Sequence, residues 1–141
     1  MRTALDTNVI SALWSREPAA SQVSELLGRA QRDGGLVVCA PVYIELLAHP
    51  RATPAFVNGF LAATNIRVDF ELDEALWREA GRGFVAYIKR RRASKIPESD
   101  APRRLLVDFV VGAHATQRAE RLFTLDPARY SGDFPRLRLM P

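Results

Sequence analysis

A single cysteine, Cys39, stands in this chain of 141 residues. No intramolecular disulfide can form, which excludes a cysteine-stapled secreted scaffold and fits a reducing compartment. No apolar run reaches the roughly 18 residues that a membrane-spanning helix needs. Asp6 and Asn8 interrupt the apolar region that an N-terminal secretory signal would show. Internal repeats, low-complexity segments and dividing linkers are also absent. The expectation is one domain over residues 1–141, in the cytoplasm and off the membrane.

What is present is ordinary for a folded protein. Hydrophobic residues make up 48% and charged residues 26% of the chain. A chain of this size buries about two-thirds of its unfolded surface and needs no staple. The formal net charge is +4 and the pI about 9.8, which suits a polyanionic partner without requiring one.

The pattern alternates short strands with helices. Arg2 to Leu5 are too few for a helix and read as a strand, and Asp6, Thr7 and Asn8 can each cap the helix that follows. A second helix runs from Pro18, with Val23, Leu26, Leu27 and Ala30 on one face, to Asp33-Gly34-Gly35, where glycine is expected to supply a positive φ. Leu36 to Ala40 reads as a strand buried on both faces, followed by a helix from Val42 to Ala48. Thr53-Pro54 opens another helix, with Phe56, Val57, Phe60 and Leu61 on one face, before a half-wet strand from Ile66 to Phe70.

Asp73 caps the longest helix, whose apolar stripe is Leu76, Trp77, Ala80, Phe84, Val85 and Ile88. Ala93 to Arg103 reads as a loop, Arg104 to Gln117 as a helix, Arg121 to Leu125 as a strand and Arg136 to Leu139 as an edge strand. This order predicts a three-layer α/β/α fold with a central, mainly parallel sheet of about five strands.

Most acids fall where solvated charge belongs, in turns (Asp33, Asp133) or on polar helix faces (Glu79). Four do not. Glu45 and Asp108 sit in helices with almost no other polar residue, and such helices are expected to be buried. Asp6 and Asp126 stand where strands end. Taken singly, each has a structural reading as a cap, a turn former or a buried ion-pair partner. Taken together, the predicted topology brings all four to the carboxyl edge of one sheet, where open α/β folds bind ligands. Two like charges ~5 Å apart cost roughly 3 kcal/mol at an effective dielectric of about 20, so the cluster calls for protons or cations. Oxygen donors with no His or Cys nearby suit Mg²⁺ or Mn²⁺. Carboxylate-held Mg²⁺ is a recurrent device for phosphodiester hydrolysis.

The motifs Leu5-Asp6-Thr7-Asn8-Val9-Ile10-Ser11, Tyr43-Ile44-Glu45-Leu46, Val107-Asp108 with Gly112, Ala113 and Ala115, and Thr124-Leu125-Asp126 with Tyr130, Phe134-Pro135 and Leu137 occur in that order across the chain. In this the chain resembles the PIN-domain ribonucleases, most closely the VapC-type toxins of toxin–antitoxin pairs. The resemblance implies a central first strand and Mg²⁺ or Mn²⁺ held chiefly by Asp6 and Asp108, with Glu45 and Asp126 completing the site. Thr124 matches a hydroxyl position beside the metal. An endoribonuclease that inhibits translation and growth, a homodimer and a cognate antitoxin are further implications. The segment from Lys89 to Arg104 varies too much in the family for roles to be carried over.

Lys89, Arg90, Arg91, Arg92, Lys95, Arg103 and Arg104 are candidates for gripping RNA phosphates, against the reading of a solvated helix end. His49 reads as a polar helix terminus and His114 as a core or interface residue. Trp14 and Trp77 are expected in the core or at a dimer contact. Two other functions compete with the nuclease. A phosphoacceptor receiver domain would pair two early acids and keep a late lysine, but Asp6 is followed by Thr7-Asn8 and no lysine follows Lys95. A haloacid-dehalogenase-like phosphatase would want Asp-x-Asp, but position 8 is Asn. A catalytically silent PIN-like scaffold is the remaining alternative.

Overall fold

A computed structural model describes residues 1–94 and 106–141. Lys95, Arg103 and Arg104 therefore lie outside the described residues. Five strands, β1 (Thr3–Leu5), β2 (Leu36–Cys39), β3 (Ile66–Asp69), β4 (Arg121–Phe123) and β5 (Leu139–Met140), form one sheet in the order β3-β2-β1-β4-β5. Every pairing is parallel, with Ala4 beside Val37 on one side and Leu122 on the other. β1 is thus central. All residues of β1 and β2 are buried. Since successive side chains point to opposite faces, both faces are covered, as a three-layer α/β/α arrangement requires.

The helices are α1 (Thr7–Trp14), α2 (Ala20–Asp33), α3 (Ala40–Leu47), α4 (Pro54–Ala63), α5 (Glu74–Ala93), α6 (Leu106–Arg118) and the short α7 (Ala128–Ser131). Their starts follow the chemistry of the sequence. Asp6, Thr53 and Asp73 accept hydrogen bonds from the freed backbone N–H groups of Thr7, Phe56 and Leu76. Among the described residues no helix is long and apolar enough to cross a membrane.

α5 and α6 pack antiparallel: Gln117, near the end of α6, donates to the carbonyl of Ala75, in the first turn of α5. Phe134 fits where two glycines leave room. A Cβ on Gly112 would lie 2.3 Å from its ring, and one on Gly83 would lie 3.0 Å away. Phe84, Tyr87 and Phe134 surround Phe109 with ring centroids 5.3, 5.4 and 6.4 Å from its own.

Several local expectations are corrected. Gly34 does not adopt a positive φ; at 169° its backbone is extended. Glycine is required there because a Cβ would lie 2.1 Å from the carbonyl oxygen of Met1. Trp77 and Val85 are not core residues but are each 52% exposed. Leu76 and Ala80 of the expected stripe are buried, Phe84 and Ile88 pack partly buried against the core, and the buried line continues through Gly83 and Tyr87. Trp14 is buried as expected, against Phe56 and Phe60.

β4 ends at Phe123, so Asp126 stands in the turn after the strand, not on it. β5 is only two residues long, and α7 was not foreseen. Asp133 is not solvent-facing: its side chain is buried and paired with Arg90.

Candidate active site

Asp6 directly follows the central strand, and its backbone N–H donates to the carbonyl of Phe123 in β4. Its side chain is almost fully buried. Oδ1 accepts from the Thr7 N–H at 2.8 Å. Oδ2 accepts two hydroxyls, Thr124 at 2.9 Å and Tyr130 at 2.8 Å. Bonds to an ionised acceptor are the stronger kind, so this carboxylate is held in one orientation. The Tyr130 phenol is pushed well above its ordinary range by burial, and further by the charge of Asp6. It remains a donor at any physiological pH.

Thr124 is the hub between the ends of β1 and β4. Besides donating to Asp6, its hydroxyl accepts from the Asp126 N–H at 3.1 Å and from the Asn8 amide at 3.3 Å. Asn8 in turn accepts from the Leu125 N–H at 3.1 Å. In the sequence, Thr7 and Asn8 read as helix caps and as members of the opening motif, without a role of their own. In the fold, each also reaches across to the carboxyl ends of neighbouring strands.

Glu45 enters from α3, which leaves β2 at the same edge. It is half-buried, and its Oε1 accepts the Thr7 hydroxyl at 2.6 Å. Thr7 therefore links the first two acids. Cys39, at the junction of β2 and α3, is buried. Burial pushes its thiol up to about 12, with the charges of Asp6 and Glu45 adding to the shift. A thiol so protonated is not a nucleophile at neutral pH.

The other two acids are joined by an arginine. Asp108 is buried on α6, and Asp126 is partly exposed after β4. Arg129 Nη1 lies 3.5 Å from Asp108 Oδ1, and its Nε lies 3.1 Å from Asp126 Oδ2. Burial opposes the guanidinium charge, but Asp108, Asp126 and Asp6 together outweigh it and raise its pKa further. The sequence signal for Arg129 was slight: it lies three residues after Asp126, a spacing at which helical side chains meet. Tyr130 stood in the recognised motif without a role.

The four acids expected to converge are thus at one sheet edge, but as two bridged pairs. Among the described residues no three His, Cys, Asp or Glu side chains stand close enough to hold a metal ion as they are. Two hydroxyls and an amide occupy Asp6, the Thr7 hydroxyl occupies Glu45, and a guanidinium lies between Asp108 and Asp126. In donor chemistry the set is all oxygen, which suits a hard divalent cation.

A depression of about 330 Å³ opens beside Glu45, lined also by Thr7, Ser11 and His49. His49 Nδ1 accepts the Arg51 N–H at 3.1 Å, which leaves the proton on Nε2, 2.9 Å from the Ser15 hydroxyl. His114 lies away from the acids, buried and 3.2 Å from Asp69, a core residue as its place in the sequence implied. Of the basic run, Arg90 is tied to Asp133, and Arg91 donates to the Tyr87 hydroxyl at 3.2 Å. Lys89 and Arg92 are exposed.

A family model described as PIN domain matches residues 3–132. Among solved structures, the chain is similar to the crystal structure of VapBC2 from Rickettsia felis bound to a DNA fragment from their promoter. Identity there is 15%, over 99% of this chain and 98% of that one, with a TM-score of 0.67. It is also similar to VapBC-1 from nontypeable Haemophilus influenzae, at 20% identity, 99% and 97% coverage and a TM-score of 0.62. A comparison with curated protein sequences found no match. These likenesses speak to fold; the family match spans the whole sheet edge from Asp6 to Arg129, and on it the chain belongs to the PIN-domain family.

Proposed function

We propose that this protein is a divalent-metal-dependent endoribonuclease, using Mg²⁺ or Mn²⁺, and the toxin of a type II toxin–antitoxin pair that inhibits translation and growth. One observation carries the reading. Asp6, Glu45, Asp108 and Asp126 reach the carboxyl edge of one parallel sheet and are knit there by Thr7, Thr124, Tyr130 and Arg129. Such an edge is where α/β folds bind ligands. PIN domains generally use divalent metals, and the VapC-type members are typically nucleases.

Asp6 and Asp108 would be the principal ligands, with Glu45 and Asp126 completing the set. A bound Mg²⁺ or Mn²⁺ would polarise the phosphoryl oxygen and make water a better nucleophile. The chain's own residues do the rest. Thr124 and Tyr130 hold Asp6 in a single orientation, and Thr7 holds Glu45. The depression beside Glu45 is a place for a nucleotide flanking the scissile phosphate. Lys89 and Arg92 offer phosphate contacts; Arg90 and Arg91 are partly committed within the fold, which trims the basic run expected to grip RNA.

The partner surfaces follow from exposed apolar side chains. Ile44 and Phe70, joined through the Tyr43 ring, are each more than half exposed, as is Trp77 on α5, and exposed large hydrophobes in contiguous patches mark association sites. A homodimer and a small antitoxin are the proposed occupants, the second by analogy with the VapBC complexes that share this fold.

The test is incubation of the pure protein with structured RNA and Mg²⁺ or Mn²⁺, with and without EDTA. Cleavage that needs the metal and is lost in Asp6→Asn supports the reading. Metal-independent cleavage, or full activity in Asp6→Asn, counts against it. RNA binding with no cleavage under any metal would favour a silent scaffold instead.

A further inference from the structure

Arg129 is placed where a cation is wanted. It is carried by α7, the four-residue helix that also carries Tyr130. The two adjacent side chains divide the acids between them: the phenol takes Asp6 at 2.8 Å, and the guanidinium spans Asp108 at 3.5 Å and Asp126 at 3.1 Å. A planar guanidinium with five fixed donors is the side chain best shaped to span two carboxylates. About two-fifths of its side chain is exposed, so one side of it faces solvent and offers a way out.

We propose that Arg129 is a built-in competitor for the divalent cation: it spans Asp108 and Asp126 and must swing aside before a metal ion can take both. Three physical points support this. A divalent cation and a guanidinium cannot share the same oxygen lone pairs. Two positive groups within a few ångströms of each other repel. Finally, among the described residues no three acids close around a point in this structure, in which Arg129 lies between two of them. Metal affinity is then the difference between what the carboxylates gain from the metal and what they lose with Arg129. Arg129 offsets part of the negative charge of the four acids, and the ion must displace it, which weakens the apparent affinity for the metal.

The inference rests on the metal-dependent reading above, and the experiment separates the two. Mn²⁺ is titrated calorimetrically into EDTA-treated, dialysed full-length wild type, Arg129→Gln and Arg129→Lys. Arg129→Gln is expected to bind Mn²⁺ at least about tenfold more tightly, a change of roughly 1.4 kcal/mol. Arg129→Lys, which keeps the charge and loses the fork, is expected to fall between. Urea midpoints give a second readout: without Mn²⁺ the Gln variant is less stable than wild type, and saturating Mn²⁺ raises its midpoint by more. Equal affinity in all three proteins, or weaker binding in Arg129→Gln, overturns the competitor role while leaving the metal site standing. No Mn²⁺ binding by any of them overturns both.

Discussion

Helices α3 and α6 look alike in sequence and end in different surroundings. Each is an apolar run interrupted by one acid, Glu45 toward the end of α3 and Asp108 in the first turn of α6. α6 is buried without a break from Asp108 to Ala115. α3 buries only Val42 and Leu46, and its Ile44 is 64% exposed. The difference lies in their neighbours. α6 runs against β1 and β4 with α5 lying along it, so no face is left to solvent. α3 lies nearer the rim, with one face against β2 and the other open beside Tyr43 and Phe70. The absence of a polar face therefore signals burial in one case and an uncovered surface in the other. An apolar helix is either inside the fold or waiting for something to cover it.

The sharpest way to break this comparison is to cut into each helix. Phe109→Ala should cost ~3–5 kcal/mol, because the ring is enclosed by Phe84, Tyr87 and Phe134 and its loss leaves a cavity. Ile44→Ala should change the stability of the lone chain by less than about 0.5 kcal/mol. Urea unfolding of both variants decides, and comparable losses would mean that α3 is as enclosed as α6.

The acids form the next contrast. Asp108→Asn should lower metal-dependent RNA cleavage by roughly 100-fold or more, since even outer partners of a metal are worth about 10–100-fold. Glu45→Gln, at the half-open helix and held by one hydroxyl, should lose about tenfold. Single-turnover cleavage rates would show the order, and a greater loss at Glu45 would reverse the ranking of the ligands.

The smallest effect is on pH. Burial within α6 lowers the His114 pKa, against the opposing pull of Asp69. Below about 6.5 the unfolded chain takes up a proton that the folded chain refuses. Stability should therefore fall as the pH drops through that value and be flat above it. In His114→Gln the part of this slope due to the imidazole should vanish. Urea midpoints between about pH 5 and 8 measure it, and identical slopes in the two proteins would remove His114 as the cause.

The strand–helix alternation was legible because period and punctuation are local. Asp6, Thr53 and Asp73 announced their helices by capping chemistry that depends on a few consecutive residues. Burial on both faces of β2 was readable from four apolar residues between turn signals. The stripe of α5 was misjudged because its apolar residues outnumber the places its one neighbouring face can bury, leaving Trp77 and Val85 outside. Gly34 was misassigned because the demand on it comes from Met1, more than thirty residues away in the chain.

Composition and spacing alone determined the fold class, the sheet edge and the four acids that belong to it, because topology follows from the order of elements and acids stand out in apolar runs. Only the tertiary structure decided how those acids are held. Thr7, Thr124 and Tyr130 become their donors, and Arg129 lies between Asp108 and Asp126. The bonds from Thr124 and Tyr130 to Asp6 depend on distances of about 3 Å between residues more than a hundred positions apart, and no local pattern in a chain encodes a distance of that kind.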